Sequence, residues 1–275
     1  MKLRRMPLAI LLVATLGLLP SQTLAQAQSG VSARGIFVLD SRWNDGPYAQ
    51  VESGTGVTIG LRNDGKVVVW GLNSSAECVL PPPLNFGVTY VEVSAGMCHS
   101  MARRSDGKID AWGWNWYQPP WSGKNAPPAL PLGSQYERIS DGYAHSLAIR
   151  SGGIVVAWGD NSLGQCNVPS APQGTWYVDI DAGQYHSLAL RTDGAIAAWG
   201  DNSHGECNVP PLPAGVTYVE VAAGWNHSLA RRSDGQVVAW GSNRCGQCTV
   251  PALPTGTTFV EIDAGDHHSL ARRSD

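Results

Sequence analysis

A unit of about 41 residues recurs along most of this chain and constrains its fold more than any other feature. The stretch from residue 218 begins YVEVAAGWNHSLARRSDGQVVAWG, and the stretch from residue 177 begins YVDIDAGQYHSLALRTDGAIAAWG. Repetition with a period near 40 residues is typical of propellers and solenoids, in which each unit covers a face of the next. Aromatic-led copies, spaced by 42, 46, 41, 41 and 41 residues, begin at Tyr48, Tyr90, Tyr136, Tyr177, Tyr218 and Phe259.

Each full copy is predicted to form four strands. In the fifth copy, the first strand alternates over 218–221, the second covers 227–231 and the third covers 237–240, while a Cys-x-Val-Pro segment supplies an irregular fourth. An Asp-Gly pair favours a tight type I′ hairpin between the second and third strands. No segment beyond residue 30 has a helical period. The sequence therefore predicts an all-β fold, a β-propeller of four-stranded blades whose radial stacking protects the strand edges.

The two ends of the repeat region are incomplete in a complementary way. The sixth copy stops at Asp275, after its second strand, and a short apolar strand at 35–39 precedes the first copy. We expect these pieces to combine into a composite sixth blade; the alternative is that the chain is a fragment of a seven-bladed propeller. The predicted domains are a signal peptide at 1–27, a lead-in with the N-terminal strand at 28–47, and the propeller at 48–275.

The first 27 residues have the pattern of a secretory signal peptide. Basic residues near the start are followed by an apolar stretch at 7–19 and by Ala25-Gln26-Ala27, a small-x-small cleavage site. A membrane anchor is the alternative, but the apolar stretch is too short to span a bilayer. We expect a secreted or periplasmic protein. Its mature chain would keep 16 basic against 22 acidic side chains, a net charge of −6 that argues against nucleic-acid binding.

The repeated residues resemble the regulator-of-chromosome-condensation repeat, with Glu206 where that pattern has Gln. The resemblance covers 48–275 and implies a propeller, seven-bladed in the best-known members, that serves as a protein-binding platform. One branch of the family exchanges guanine nucleotide on a small GTPase in the nucleus, and another includes a secreted bacterial propeller that inhibits β-lactamases. The residues that carry the pattern in the fourth copy are Ala182-Gly183, His186-Ser187-Leu188-Ala189, Asp193-Gly194, Trp199-Gly200, Asn202, Gly205, Cys207, Val209 and Pro210.

Residues that recur at one position of most copies are interpreted as scaffold. We expect each repeated His to hydrogen-bond a backbone group of its own blade, each repeated Cys to be a small buried side chain, and each repeated Trp N–H to bind a backbone carbonyl. The repeated acids are interpreted as the polar side of the first strand. These sets are His99, His145, His186, His227 and His268; Cys78, Cys166, Cys207 and Cys248; Trp70, Trp112, Trp158, Trp199 and Trp240; and Glu92, Asp179, Glu220 and Glu261. No set is present in all six copies, and the first copy has Val57 at the His position.

No enzymatic site is predicted. Cys245 and Cys248 form a Cys-x-x-Cys pair without the βαβ context of a redox site, so a local disulfide is the open alternative there. No catalytic carboxylate pair, metal signature or phosphate-binding loop stands out, and we predict no cofactor and no metal. A propeller enzyme acting on polysaccharide would need such a carboxylate pair.

Positions that differ between copies are the predicted binding site. Two variable residues precede each repeated His, and a second variable segment follows each Trp-Gly; both fall at one end of the blades, where repeat proteins bind partners. The second copy adds an aromatic loop at 114–121, which either binds a partner or plugs the central channel. We predict a monomer that binds another protein, or an extracellular repeat domain of a longer protein. The site residues are Trp114, Trp116, Tyr117, Trp121, Tyr143, Tyr185, Trp225, Asn226 and Asp266.

Overall fold

The computed structural model of this 275-residue chain describes residues 47–71, 80–97, 99–113 and 126–275. The signal peptide, the strand at 35–39, Cys78 and the loop at 114–121 lie outside the described residues. Within these ranges the chain is all-β, as predicted, and contains no helix of membrane-spanning length and apolarity. The strands are β1 (Tyr48–Ser53), β2 (Val57–Arg62), β3 (Val67–Gly71), β4 (Tyr90–Ala95), β5 (His99–Arg104), β6 (Ile109–Gly113), β7 (Tyr136–Asp141), β8 (His145–Arg150), β9 (Ile154–Gly159), β10 (Tyr177–Ala182), β11 (His186–Arg191), β12 (Ile196–Gly200), β13 (Tyr218–Ala223), β14 (His227–Arg232), β15 (Val237–Gly241), β16 (Phe259–Ala264) and β17 (Ser269–Arg273).

Each copy of the repeat forms one antiparallel sheet. Five sheets have three strands in chain order, from β1-β2-β3 to β13-β14-β15, and β16 pairs with β17 in the sixth. The predicted fourth strand is absent from the described copies, where 160–176, 201–217 and 242–258 are turns and irregular segments. Prolines such as Pro169 and Pro172 lack the N–H that a ladder needs, so these segments connect blades without joining a sheet.

The sheets are arranged around a central channel. The first strands of consecutive blades contact one another, from β1 against β4 to β13 against β16. Together the six first strands line one cavity of about 320 Å³. This radial arrangement confirms the predicted β-propeller.

The apolar core lies between neighbouring blades. Leu188 and Leu190 of β11 pack with Tyr218 and Val221 of β13 and with Trp240 at the end of β15. Leu188 is fully buried and Trp240 is 7% exposed. Because each cluster combines two sheets, a blade buries its apolar face only when its neighbour is present.

The Asp-Gly hairpins join each blade to the next at one end of the molecule. Gly194 N donates to Arg191 O at 3.0 Å, which makes Thr192 and Asp193 the central turn residues. The predicted type I′ turn, with Asp193 and Gly194 as its central residues, was therefore wrong. Gly194 instead follows the turn, with a φ of +78°. Gly194 O then accepts from Tyr218 N of the next blade at 2.9 Å.

Candidate binding site at one end of the channel

In the third to fifth copies, where both variable segments are described, they lie at the same end of the blades, as predicted. Asp201 N, in the segment after Trp199-Gly200, donates to Tyr185 O in the loop between β10 and β11 at 2.8 Å. Ser242 N donates in the same way to Asn226 O at 2.8 Å. We call this end the loop face: it consists of the Gly-x-x-His loops and the segments that follow each Trp-Gly.

The repeated histidines join each blade to the next beneath the loop face. In four of the five histidines, Nε2 contacts a serine hydroxyl at the start of the second strand of the following blade, so the prediction of a backbone partner within the same blade was wrong for them. The fifth, His268, is exposed. The pairs are His99–Ser146 (2.9 Å), His145–Ser187 (2.9 Å), His186–Ser228 (3.0 Å) and His227–Ser269 (3.0 Å).

The serine hydroxyl determines which nitrogen of the imidazole carries the hydrogen. Ser187 Oγ donates its hydrogen to Gln165 O at 2.9 Å, so it accepts a hydrogen bond from His145 Nε2–H. Trp199 Nε1 donates to the same carbonyl at 2.8 Å, and Trp240 does likewise to Glu206 O at 2.7 Å, which confirms the predicted carbonyl partner for these two tryptophans. The prediction was wrong for Trp112 and Trp158, whose buried Nε1 atoms have no hydrogen-bond partner among the described residues. Gln165 O belongs to the preceding blade. Two consecutive hydrogen bonds, from His145 Nε2 to Ser187 Oγ and from Ser187 Oγ to Gln165 O, therefore join the two blades.

Burial keeps these imidazoles neutral. It lowers the pKa of His145 and His186 to about 3 and that of His227 to about 4, because the imidazolium loses its hydration and further histidines lie nearby. His145 and His186 are at most 1% exposed. Imidazoles that are buried and neutral at pH 7 fit a scaffold role.

The junction between the second and third blades departs from this pattern. Asp141 stands where other copies have Ala or Ser, and its Oδ1 lies 2.9 Å from His99 Nε2 and accepts from Ser146 Oγ at 2.8 Å. Burial opposes the imidazolium, but the Asp141 carboxylate raises the pKa of His99 overall. Although this is a Ser, His and Asp set, both partners meet the same ring nitrogen, so Ser146 has no base of its own as a nucleophile would need.

The polar side of the first strands faces the channel. The sequence predicted that side but not its convergence: the third residue of every first strand lines one cavity. Three of the acids pair with an arginine directly opposite on the second strand. The channel residues are Gln50, Glu92, Arg138, Asp179, Glu220 and Glu261, and the pairs are Arg103–Glu92 (2.6 Å), Arg231–Glu220 (2.7 Å) and Arg272–Glu261 (2.9 Å).

Nearer the loop face, Asp181 joins three blades in the channel wall. Its carboxylate accepts from Ser140 Oγ at 2.7 Å and from Ala223 N at 2.7 Å. Burial raises the pKa of Asp181 to about 7, with smaller contributions from the nearby carboxylates Asp263 and Asp179. The channel end beneath the loop face is therefore acidic.

An aromatic patch covers the loop face beside the channel. We define it as Tyr143, Tyr185, Trp225 and His267, one residue from each of four consecutive blades. Tyr143 lies 5.5 Å from Tyr185 and 6.4 Å from Trp225 between ring centroids, and Trp225 stacks on His267 at 5.1 Å with an interplanar angle of 9°. The three predicted residues are thus brought together, each half-buried.

Two more predicted site residues, Asn226 and Asp266, are neighbours of the patch in sequence. Asn226 is half-buried beside Trp225, and Asp266 is exposed beside His267. His267 was not predicted, although it occupies the same variable pair as Asp266. That shared position is the signal that would have identified it.

The described cysteines form no disulfide with one another. Cys166, Cys207 and Cys248 are half-buried, less than predicted, and each Sγ lies 3.1 to 3.2 Å from a backbone carbonyl. Burial raises the pKa of Cys207 to about 12, with help from Glu206 and Asp201. Cys245 is exposed and forms no disulfide with Cys248 in this structure.

Three segments of the chain match a known sequence repeat. The regulator of chromosome condensation (RCC1) repeat matches residues 138–165, 177–206 and 218–247. No curated protein matches this sequence significantly.

Solved propellers share the fold at low sequence identity. Yeast RCC1 (Prp20), in its complex with Kap60, is 23% identical with a TM-score of 0.68, covering 81% of this chain and 67% of that one. Human WBSCR16 is 16% identical with a TM-score of 0.63 over 82% and 72% of the two chains. The ectodomain of the Physcomitrella patens receptor kinase CR4 is 23% identical with a TM-score of 0.62 over 83% and 59%. This chain thus carries RCC1-type repeats and adopts the β-propeller fold of RCC1 proteins.

Proposed function

We propose that this protein binds another protein through its loop face, with the aromatic patch at the centre of the contact. The observation that carries the proposal is the patch itself: four rings from four consecutive blades, half-buried or exposed, at one mouth of the channel. Trp and Tyr dominate the residues whose loss most weakens protein interfaces. A propeller presents them on rigid loops, so little conformational entropy is lost on binding.

The charge beneath the patch indicates the chemistry of the partner. Asp181 and Asp263 lie on the channel wall four residues before Tyr185 and His267. A Lys or Arg side chain inserted between the rings would gain both cation–π contact and attraction to these carboxylates. A partner that presents a basic side chain on a protruding segment fits this surface.

Structural relatives support a protein-binding role, and the N-terminal sequence supports export. Yeast RCC1 (Prp20) has been crystallised with Kap60, and its binding to Gsp1p and histones has been described. The signal-like sequence at 1–27 favours export, so we place the partner among secreted, periplasmic or cell-surface proteins. In this proposal the protein acts as a monomeric, non-catalytic binding module.

Trp225→Ala is expected to weaken partner binding by about 30-fold or more, the loss typical of a tryptophan at the centre of an interface. Partners captured from an extract of exported proteins, and a purified β-lactamase, would each be titrated directly against wild type and variant. Trp176→Ala is the matched control, since Trp176 is 52% exposed but packs on the hairpin glycine Gly153, away from the loop face. If every partner binds Trp225→Ala as tightly as wild type, the proposed surface is wrong.

A further inference from the structure

The segment after Trp-Gly contains a buried polar side chain, and the third copy shows how an amide is accommodated there. Gln165 is fully buried. Its Oε1 accepts from Leu163 N at 2.9 Å, and its Nε2 donates to Asp160 Oδ2 at 2.9 Å. Both ends of the amide are therefore paired, one with the backbone and one with an aspartate.

The fourth copy has a carboxylate in place of that amide. Glu206 Oε2 accepts from His204 N at 2.7 Å, as Gln165 Oε1 does from Leu163 N. Glu206 Oε1 replaces the donating Nε2, although Asp201, the counterpart of Asp160, is retained. Glu206 is 1% exposed, and its Oε1 has no hydrogen-bond partner among the described residues. An anionic oxygen buried toward a second carboxylate requires a cation or a proton between them.

His204 adds a third ligand-type atom at this place. Its Nδ1 lies 3.8 Å from Glu206 Oε1, and one ligand atom each of Asp201, His204 and Glu206 lies within 4.8 Å of the other two. Ligands about 2.0–2.2 Å from a tetrahedral ion are roughly 3.3 Å apart, so side-chain rotations must close the set. The ion would also replace Ser203 Oγ, which contacts His204 Nδ1 at 3.0 Å and donates to Asp201 Oδ2 at 2.9 Å. The side chain of His204 is 30% exposed, which leaves a path from solvent.

We propose that Asp201, His204 and Glu206 bind a divalent transition-metal ion of the Zn²⁺ type, with a fourth coordination position open. Carboxylate and imidazole ligands in a set of three with an open position are typical of such sites. Of the third to fifth copies, only the fourth has ligand-type residues of this kind at all three positions; the others have Asp160, Leu163 and Gln165, and Ser242, Cys245 and Gln247.

The backbone around the site is rigid and lies beside the aromatic patch. Glu206 O accepts from Ser228 Oγ at 2.8 Å and from Trp240 Nε1 at 2.7 Å, both in the next blade. Asp201 N is bonded to Tyr185 O. A bound ion would therefore hold the segment against the loop that carries Tyr185.

The test is calorimetric titration of the full chain with Zn²⁺ at pH 7.5, with metal content measured after dialysis. We expect one ion per chain and at least a tenfold loss of affinity in Glu206→Gln and in His204→Leu. Both variants copy residues that the third copy already uses, so folding is preserved. In metal-free buffer Glu206→Gln is expected to be at least as stable as wild type, because its new amide can donate to Asp201 as Gln165 does to Asp160.

A Cys245→Ser variant separates this site from the exposed thiol pair. Retention of the ion in Cys245→Ser, together with its loss in Glu206→Gln and His204→Leu, supports the proposal. Absence of bound zinc in wild type overturns the proposal, and a proton on Glu206 would then explain its unpaired oxygen. Unchanged zinc affinity in Glu206→Gln also overturns it, because the ion would then lie elsewhere. Loss of the ion in Cys245→Ser also overturns it, because the ion would then be on the thiols.

Discussion

Replacing Gly183 with alanine is expected to destabilise the propeller by about 4 kcal/mol or more, enough to unfold a domain of ordinary stability. An added Cβ would lie 2.3 Å from His186 Cε1 and 2.6 Å from Gly224 O. The ring cannot move away without breaking the His186–Ser228 hydrogen bond, and the carbonyl belongs to the next blade. Relief of the clash therefore separates two blades whose apolar core depends on their contact.

Urea denaturation followed by tryptophan fluorescence measures this loss. Gly215→Ala is the matched control, because Gly215 has φ +77° and a Cβ there meets nothing within 4 Å. Backbone strain alone should cost it about 1–2 kcal/mol. Equal losses in the two variants would show that the close approach at Gly183 is not what holds the blades together.

The repeat predicted the all-β propeller, and the places where copies differ predicted most of the aromatic patch. Tyr143, Tyr185 and Trp225 were identified because they belong to a variable pair of positions in an otherwise constant unit. The order of strands within a blade then required them to share one end of the molecule. Both inferences depend on local pattern alone, which a repeated sequence displays several times over.

Contacts between blades could not be predicted in the same way. His186 is followed by Ser187 in its own copy, and an identical serine, Ser228, stands 42 residues further on. Because the copies are alike, the sequence does not say which serine the imidazole reaches. The convergence of Glu92, Glu220 and Glu261 on one channel likewise depends on the curvature of the whole ring of blades.

The proposed metal site was missed for a different reason. The exchange of Gln for Glu206 was visible in the sequence as a departure from the repeat. Its meaning depends on burial and on the position of Asp201, because a Glu exposed to solvent would need no cation. Comparison with Gln165 in the folded structure is what makes the unpaired Oε1 apparent.

Acidification from pH 7 to pH 4.5 is expected to destabilise the protein steeply because three buried histidines must stay neutral. The pKa is about 3 for His145 and His186 and about 4 for His227 in the folded chain, against about 6.5 when unfolded. Below pH 6.5 the unfolded chain binds more protons than the folded one. The stability that these groups contribute is thus present above pH 6.5 and is lost as pH falls toward 3, at about 1.4 kcal/mol per pH unit for each histidine.

Four other groups act in the opposite sense. The pKa of Asp181, raised to about 7, gives stability that is present at low pH and lost as pH rises toward 7, which offsets about one histidine between pH 4.5 and 6.5. Burial also raises the pKa of Glu206 and of Glu220, which adds to this offset. The raised pKa of His99 acts only above pH 6.5, where its pairing with Asp141 is lost as pH rises. The net expectation is a slope of at most about 3 kcal/mol per pH unit between pH 6 and 4.5.

His186→Gln tests the cause of this slope. Gln can still donate to Ser228 Oγ but does not titrate, so the slope of unfolding free energy against pH should fall by about 1.4 kcal/mol per pH unit. Ser228→Ala is the control: it removes the hydrogen-bond partner but leaves His186 buried, so stability falls at every pH while the slope is kept. Urea titrations at pH 7, 6, 5 and 4.5 measure both. A slope in His186→Gln equal to that of wild type would mean that the folded protein protonates this imidazole freely, and burial would then not be what keeps the blade junctions neutral.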